Sequence, residues 1–270
     1  MQKFVEQKFI GERAMFGAKD AEFERCRFAA GESPLKHGQN LRLKNCIFEW
    51  KYPLWYTKNI AMEDGFLTQT ARAGIWYAQD VSFKDTLIQA PKSFRRCQNV
   101  RLENVNLTRA EETLWSCADG DYFAMNCENM RVYGLNLDGN YGFDGCKNLL
   151  VEDSKLLSKD AFWNCENVTV RNSFISGEYL AWNSKNVTFE NCVIESLQGL
   201  CYVKNLVLRG CQTLDTTLAF EYSSVDVEIL GGIASVKNPR SGVIRAREIG
   251  EVIIEKECVD PAATKIIYLK

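Results

Sequence analysis

The chain has 270 residues, 46% of them hydrophobic, with 33 Lys and Arg against 35 Asp and Glu for a net charge of −2. That is enough apolar material for a large core, while the balanced charge and the lack of a basic run argue against a nucleic-acid partner. No apolar stretch reaches membrane length, and the N-terminal MQKFVEQKFIGER is too charged for a signal-peptide core, so a cytoplasmic location is expected.

Residues 1–18 precede the repeat and are expected to cap one end, because a bare solenoid edge pairs with other chains. From 19 to 230 the chain repeats with a period of about nineteen residues. NLRLKN begins at Asn40, NIAMED at Asn59, NVRLEN at Asn99, NLLVED at Asn148, NVTVRN at Asn167, NVTFEN at Asn186 and NLVLRG at Asn205. Asp20 and Asp80 hold the same anchor slot. The steps from Asn148 to Asn167, Asn186 and Asn205 are each nineteen residues. A fixed period of this size marks a solenoid.

Strands fit the period. The two apolar residues after each anchor are two apart, as in Val168 and Val170 or Val187 and Phe189. A third apolar column lies eight residues after the anchor (Phe48, Leu67, Ile88, Leu107, Leu137, Leu156, Ile175, Ile194) and a fourth five before it (Leu54, Ile75, Phe94, Phe143, Phe162, Leu200). Asn at the anchor and Asn, Asp or Gly five residues on suit sharp corners. The anchor amides are expected to hydrogen-bond to the backbone of neighbouring coils. The predicted fold is all-β: a single-stranded parallel β-helix, right-handed as parallel crossovers are. One domain, 1–270, is expected.

The step from Asn99 to Asn129 is thirty residues, too long for one coil and too short for two. It reads as a coil missing a strand and a corner, with a notch near 117–123. Residues 231–270 lose the register but keep strand-like SGVIRA and EVIIEKE, and are expected to form a last coil and a cap.

Most of the eleven Cys fall in the repeat columns. Cys97, Cys127, Cys146 and Cys165 lie two before the anchor, Cys117 beside Asp119, and Cys26, Cys46, Cys192 and Cys211 six after. Small inward slots suit buried thiols, a reducing compartment disfavours disulfides, and no close Cys-x-x-Cys pair suggests a metal. No metal or cofactor is expected.

Stretches such as ETLWSC, GDYF, DAFWNCENVTV, SGEYLAWNSKN, ESLQGLCY and LAFEYS resemble a bacterial family of right-handed β-helix proteins, a domain of unknown function, along nearly the whole chain. The resemblance implies a pectin-lyase-like solenoid with no established activity. The family pattern has a full coil between LWSC and GDYF, and this chain departs from it there. Such folds mostly host carbohydrate lyases, hydrolases and epimerases, but fold does not imply function. The paired Asp with His and Arg-x-Lys of polygalacturonases is absent, and no calcium-binding Asp cluster with a catalytic Arg or Lys stands out. The one His, His37, reads as a surface or corner residue.

One feature points to a site. The corner after the third apolar column carries Glu111, Glu112, Asp138, Asp160, Glu178 and Glu195. Four before the anchor stand Trp55, Trp76, Trp115, Trp163 and Trp182, with Tyr122, Tyr141 and Tyr179 near the same corner. Carboxylates beside aromatic faces suit a saccharide, or acid–base chemistry on one. Strict alternation from the Cys slot turns the Trp column into the core, whereas Arg95 and Asp144 in the same slot argue for an outward position. The carboxylates equally fit solvated corners. Asp144, Asp160, Glu178 and Glu221 are the candidate acid and base groups, within aromatic clusters whose desolvation would raise a carboxyl pKa. Trp115, Tyr141, Trp163, Tyr179 and Trp182 are the candidate ligand-binding residues. Two functions fit: a non-catalytic module binding a glycan or protein, alone or as an oligomer, and an intracellular carbohydrate-active enzyme using paired carboxylates.

Overall fold

The computed structural model describes residues 1–108 and 121–270, and among them contains strands and turns but no helix. The chain forms two compact units, Met1–Asn140 and Tyr141–Lys270. Each is a parallel β-solenoid with coils about nineteen residues apart. In the first, Val81 pairs with Ile60 and with Val100, and Phe83 with Met62 and Leu102. In the second, Val168 pairs with Leu149 and Val187, and Val170 with Val151 and Phe189.

A coil opens on a six-residue strand such as Gln98–Glu103 or Glu166–Arg171. Its inward positions are the first two apolar columns, so exposure alternates along it. A short strand follows, such as Asn106–Leu107 or Phe174–Ser176, whose inward residue is the third column. The fourth column points inward from the side that closes the coil, which is a two-residue strand in Ile75–Trp76, Phe94–Arg95, Ala124–Met125 and Phe143–Asp144. All four columns are buried, and the rings of Phe28 and Phe48 stack at 4.7 Å and those of Phe143 and Phe162 at 5.4 Å.

Four left-handed corners recur in the regular coils, two more than the sequence indicated, and the coils of Asn167, Asn186 and Asn205 add a fifth left-handed residue at Phe162, Ala181 and Leu200. In the coil of Asn99 the corners are Lys92 (φ 56°), Arg96 (50°), Asn99 (55°) and Asn104 (52°), and in that of Asn167 they are Asp160 (57°), Asn164 (54°), Asn167 (59°) and Asn172 (48°). Anchor and second corner use Asn, Asp and Gly, which tolerate this backbone. The corners three and seven residues before the anchor use Tyr, Arg, Lys and His as well, which is why composition did not reveal them.

The anchor amides behave differently from expectation. They are mostly exposed and bond to one another rather than to backbone: Asn59 Nδ2 donates to Asn40 Oδ1 at 2.9 Å, Asn167 to Asn148 at 2.9 Å and Asn186 to Asn167 at 2.8 Å. The corner points outward, so each amide's nearest partner is its copy on the next coil. Four residues after the anchor runs a second ladder of alternating charge. It reads Glu24, Lys44, Glu63, Lys84, Glu103 in the first unit and Glu152, Arg171, Glu190, Arg209 in the second. Single exposed pairs such as Arg171–Glu190 at 2.6 Å add little stability. Alternation still matters, because a coil paired with the wrong neighbour sets like charges opposite each other.

Three expectations about the coils change. Val100 pairs directly with Met130 and Leu102 with Val132, so the thirty-residue step is a single coil, not one that has lost a strand. Its third side is intact, with Phe94 paired to Ala124. The surplus falls between Thr108 and Asp121, and the expected notch, with Cys117 and Asp119, lies mostly outside the described residues. Residues 1–18, expected as a cap, are themselves in coil register: Gln2–Val5 pairs with Ala21–Glu24. In the last coils the period shortens, as Ser224–Lys237 pairs with Ser241–Ile253 at an offset of seventeen up to Ile229 and sixteen from Gly232, and Thr264–Tyr268 adds a further strand.

The repeat-column cysteines among the described residues are buried, as is Cys201, and none of the ten described cysteines forms a disulfide. Burial pushes the Cys46, Cys165 and Cys201 thiols up to about 12, which keeps them in the unreactive protonated form. No group of three His, Cys, Asp or Glu among the described residues is placed to hold a metal ion.

Candidate functional site

The tryptophans face outward. Trp55, Trp76, Trp163 and Trp182 are half-buried on the coil surface, whereas the residue before each (Leu54, Ile75, Phe162, Ala181) is fully buried. The reason is the corner three before the anchor. One left-handed residue, Tyr56, Tyr77, Asn164 or Asn183, stands between the Trp slot and the inward slot two before the anchor, so strict alternation does not carry across. Arg95 and Asp144 share the slot because it meets solvent.

In the second unit the candidate residues form one strip. Asp160 and Glu178 lie on adjacent coils, with Asp160 N–H donating to Glu178 C=O at 2.9 Å. The Trp163 ring meets Tyr141 edge-on at 5.6 Å and Trp182 at 6.3 Å, and Tyr179 meets Trp182 edge-on at 5.9 Å. Trp163 Nε1 donates to Tyr179 C=O at 2.7 Å, which fixes the indole across two coils. Asp144 sits one coil before Trp163 in the same column and accepts from Asn164 Nδ2 at 3.0 Å.

Asp160 is the distinctive carboxyl. It is 3% exposed, and its Oδ1 is buried without a hydrogen-bond partner among the described residues. Burial pushes its pKa up; Lys159 and a hydrogen bond from Tyr141 pull it down, and the Glu178 charge adds to the rise. Glu178 differs: it is half-exposed and pairs with Lys159 Nζ at 2.9 Å. The same Lys159 ammonium lies 5.7 Å from the Tyr179 ring centre.

Glu221 is buried but committed elsewhere, pairing with Lys237 Nζ at 3.2 Å and accepting from Gln198 Nε2 at 3.3 Å. The ring array does reach it, through residues that the sequence reading missed. Trp182 contacts Tyr202 at 4.4 Å, and Tyr202 contacts Tyr222 at 5.2 Å. A signal was present: an aromatic recurs three before the anchor in His37, Tyr56, Tyr77 and Tyr202. In the first unit, His37 stacks on Tyr56 at 5.2 Å and Tyr56 on Tyr77 at 4.8 Å. Glu111, Glu112 and Trp115 lie outside the described residues, and Tyr122 belongs to the first unit, beside Trp76 and Arg95.

The fold and this strip define a parallel β-solenoid that displays ordered aromatic rings and carboxyls on its outer face. The chain belongs to the family described as Protein of unknown function (DUF3737), whose model matches residues 2–267. Among solved structures it is similar to the Gp54 tailspike of Acinetobacter baumannii bacteriophage AP22 in complex with the bacterium's capsular saccharide, at 9% identity and TM-score 0.43, covering 100% of this chain and 69% of that one. It is also similar to PfbA, a surface adhesin of Streptococcus pneumoniae (9% identity, TM-score 0.41, 94% of this chain and 84% of that one). A third is the periplasmic alginate epimerase AlgG (6% identity, TM-score 0.36, 98% of this chain and 77% of that one). No curated protein matches the chain.

Proposed function

We propose that the chain is a saccharide-binding β-solenoid whose ligand lies on the strip of Tyr141, Trp163, Tyr179 and Trp182 beside Asp160 and Glu178. The observation that carries this reading is the outward tryptophan column, with Trp163 hydrogen-bonded to the next coil, beside a buried carboxyl. Rings held by neighbouring backbone lose little freedom on binding, and they offer flat apolar faces for sugar C–H groups. Asp160, Glu178 and Lys159 supply acceptors and donors for hydroxyls. A glycan array followed by tryptophan-fluorescence titration tests it. Trp163→Ala and Trp182→Ala are each expected to lower affinity for a bound glycan by about tenfold or more, which is about 1.4 kcal/mol. Unchanged affinity in both variants would sink the reading.

The buried, raised carboxyl of Asp160 supports a second reading, an enzyme in which Asp160 is the acid and Glu178 its partner. Turnover of a bound sugar that disappears in Asp160→Asn while binding persists supports the enzyme. Binding without turnover of any bound sugar by the parent supports the module.

Either role predicts a pH signature. The folded pKa of Asp160 is raised, so the folded state holds this proton more tightly than the unfolded chain. The contribution to stability is therefore fully present below the unfolded value and is lost as pH rises through the folded one. Asp160→Asn removes this loss and is expected to be more stable than the parent at pH 7, with the gain vanishing in acid. Denaturant melts giving the same difference at both pH values would show that the charge of Asp160 is not under strain.

A further inference from the structure

We propose that a cavity in residues 1–140, between Trp76, Lys92, Arg95 and Tyr122, binds the oxyanion of a small acidic ligand, a carboxylate or a phosphate. The proposal is independent of the saccharide strip, with which it shares no residue. The cavity has a volume of about 180 Å³, with Phe94 and Met125 completing its wall.

Its central group is Arg95, the arginine that occupies the tryptophan column. Register places Arg95 between Trp76 on one coil and Met125 on the next. The guanidinium lies over the Trp76 ring, 4.9 Å from its centre. That ring is itself held: its Nε1 donates to Lys92 C=O at 2.9 Å, and its other face stacks on Trp55 at 4.9 Å. The guanidinium is thus clamped, yet its Nε is buried without a hydrogen-bond partner among the described residues. A buried charged donor left unpaired is costly, and folded proteins rarely retain one without a reason. No carboxylate among the described residues forms an ion pair with Arg95, Lys92 or Arg96. Three cations within five residues of chain therefore have no ion-pair partner among the described residues.

An oxyanion meets this demand and a neutral sugar does not. A guanidinium donates from several N–H groups to the oxygens of a carboxylate or phosphate, and the half-exposed Arg95 lines the cavity with its charge. Lys92 is exposed at the mouth and adds a mobile ammonium, while Phe94 and Met125 give the ligand's body an apolar wall. The volume is below the roughly 300–1,000 Å³ of sites for drug-sized molecules, so it fits one sugar acid or a smaller anion and not a chain.

The test uses the full chain, with tryptophan fluorescence and calorimetry against D-glucuronate, inorganic phosphate and D-glucose. Saturable binding of glucuronate or phosphate is expected that Arg95→Gln weakens, whereas any response to glucose is expected to be the same in parent and Arg95→Gln. Glucuronate alone identifies a carboxylate ligand; phosphate alone identifies a phosphate. Arg95→Gln is expected to weaken binding about tenfold or more, and Arg95→Lys nearly as much, because it keeps the charge but loses the fork. Lys92→Gln, at an exposed position that tolerates change, is expected to weaken binding several-fold and to lower its salt dependence. It serves as the test should the Arg95 variants fail to fold. Trp163→Ala is expected to leave this binding unchanged, separating it from the strip. Equal affinity in parent, Arg95→Gln and Lys92→Gln, or no binding of either anion at millimolar concentration would overturn the proposal.

Discussion

Replacing Phe189 with alanine is expected to lower the unfolding free energy by about 3–5 kcal/mol. Phe189 lies in the strand Lys185–Glu190, fully buried, with Val170 and Leu208 beside it in register on the coils to either side. Its ring meets Phe162 edge-on at 6.2 Å. Truncation removes the buried ring and leaves a cavity that two stacked coils cannot close, because their spacing is fixed by the backbone ladder. In a solenoid each coil contacts only its neighbours, so one defect weakens two interfaces together. Phe189→Leu keeps most of the volume and is expected to lose less than about 1.5 kcal/mol. Denaturant titrations of the three proteins check the order. An alanine variant no less stable than the leucine variant would show that the core does not rest on this column.

Asn167→Leu is expected to cost about 1–3 kcal/mol, and Asn167→Gly clearly less. Two effects compete at this exposed residue. Its amide donates to Asn148 and accepts from Asn186, bonds that solvent replaces at little net loss. Its backbone has φ 59°, a conformation that costs an ordinary side chain about 1–2 kcal/mol. Leucine loses both contributions, whereas glycine loses only the ladder, so the difference between the variants isolates the backbone. Equal melts for leucine and glycine would assign the whole effect to the amide ladder, contrary to this account.

Much of the site was legible as residue types at fixed spacing. Asp160 and Glu178, eighteen residues apart, do lie on adjacent coils, and Trp163 and Trp182 do align. What separates the four candidate carboxyls was not legible. Asp160 is buried with an idle oxygen, Glu178 is tied to Lys159, Glu221 to Lys237, and Asp144 takes the amide of Asn164. These partners come from different coils and from no common spacing. Arg95 carried a hint as the odd residue in a tryptophan column, but its unpaired Nε depends on how Trp76 and Lys92 close around it.

By itself the sequence determined the solenoid, its period, the four inward columns and two of its corners. These are set by local rules repeated coil after coil: alternation along a strand, and Asn, Asp or Gly where the backbone turns left-handed. The tertiary structure decided which way the tryptophans face, that the thirty-residue step is one coil, and which carboxyl is buried. Each of these turns on corners occupied by residues without turn preference, Tyr56, Tyr77 and Arg96 among them, or on contacts between coils. Stacking pays the strain of such corners through the hydrogen bonds of neighbouring coils, so nothing in the local sequence has to announce them.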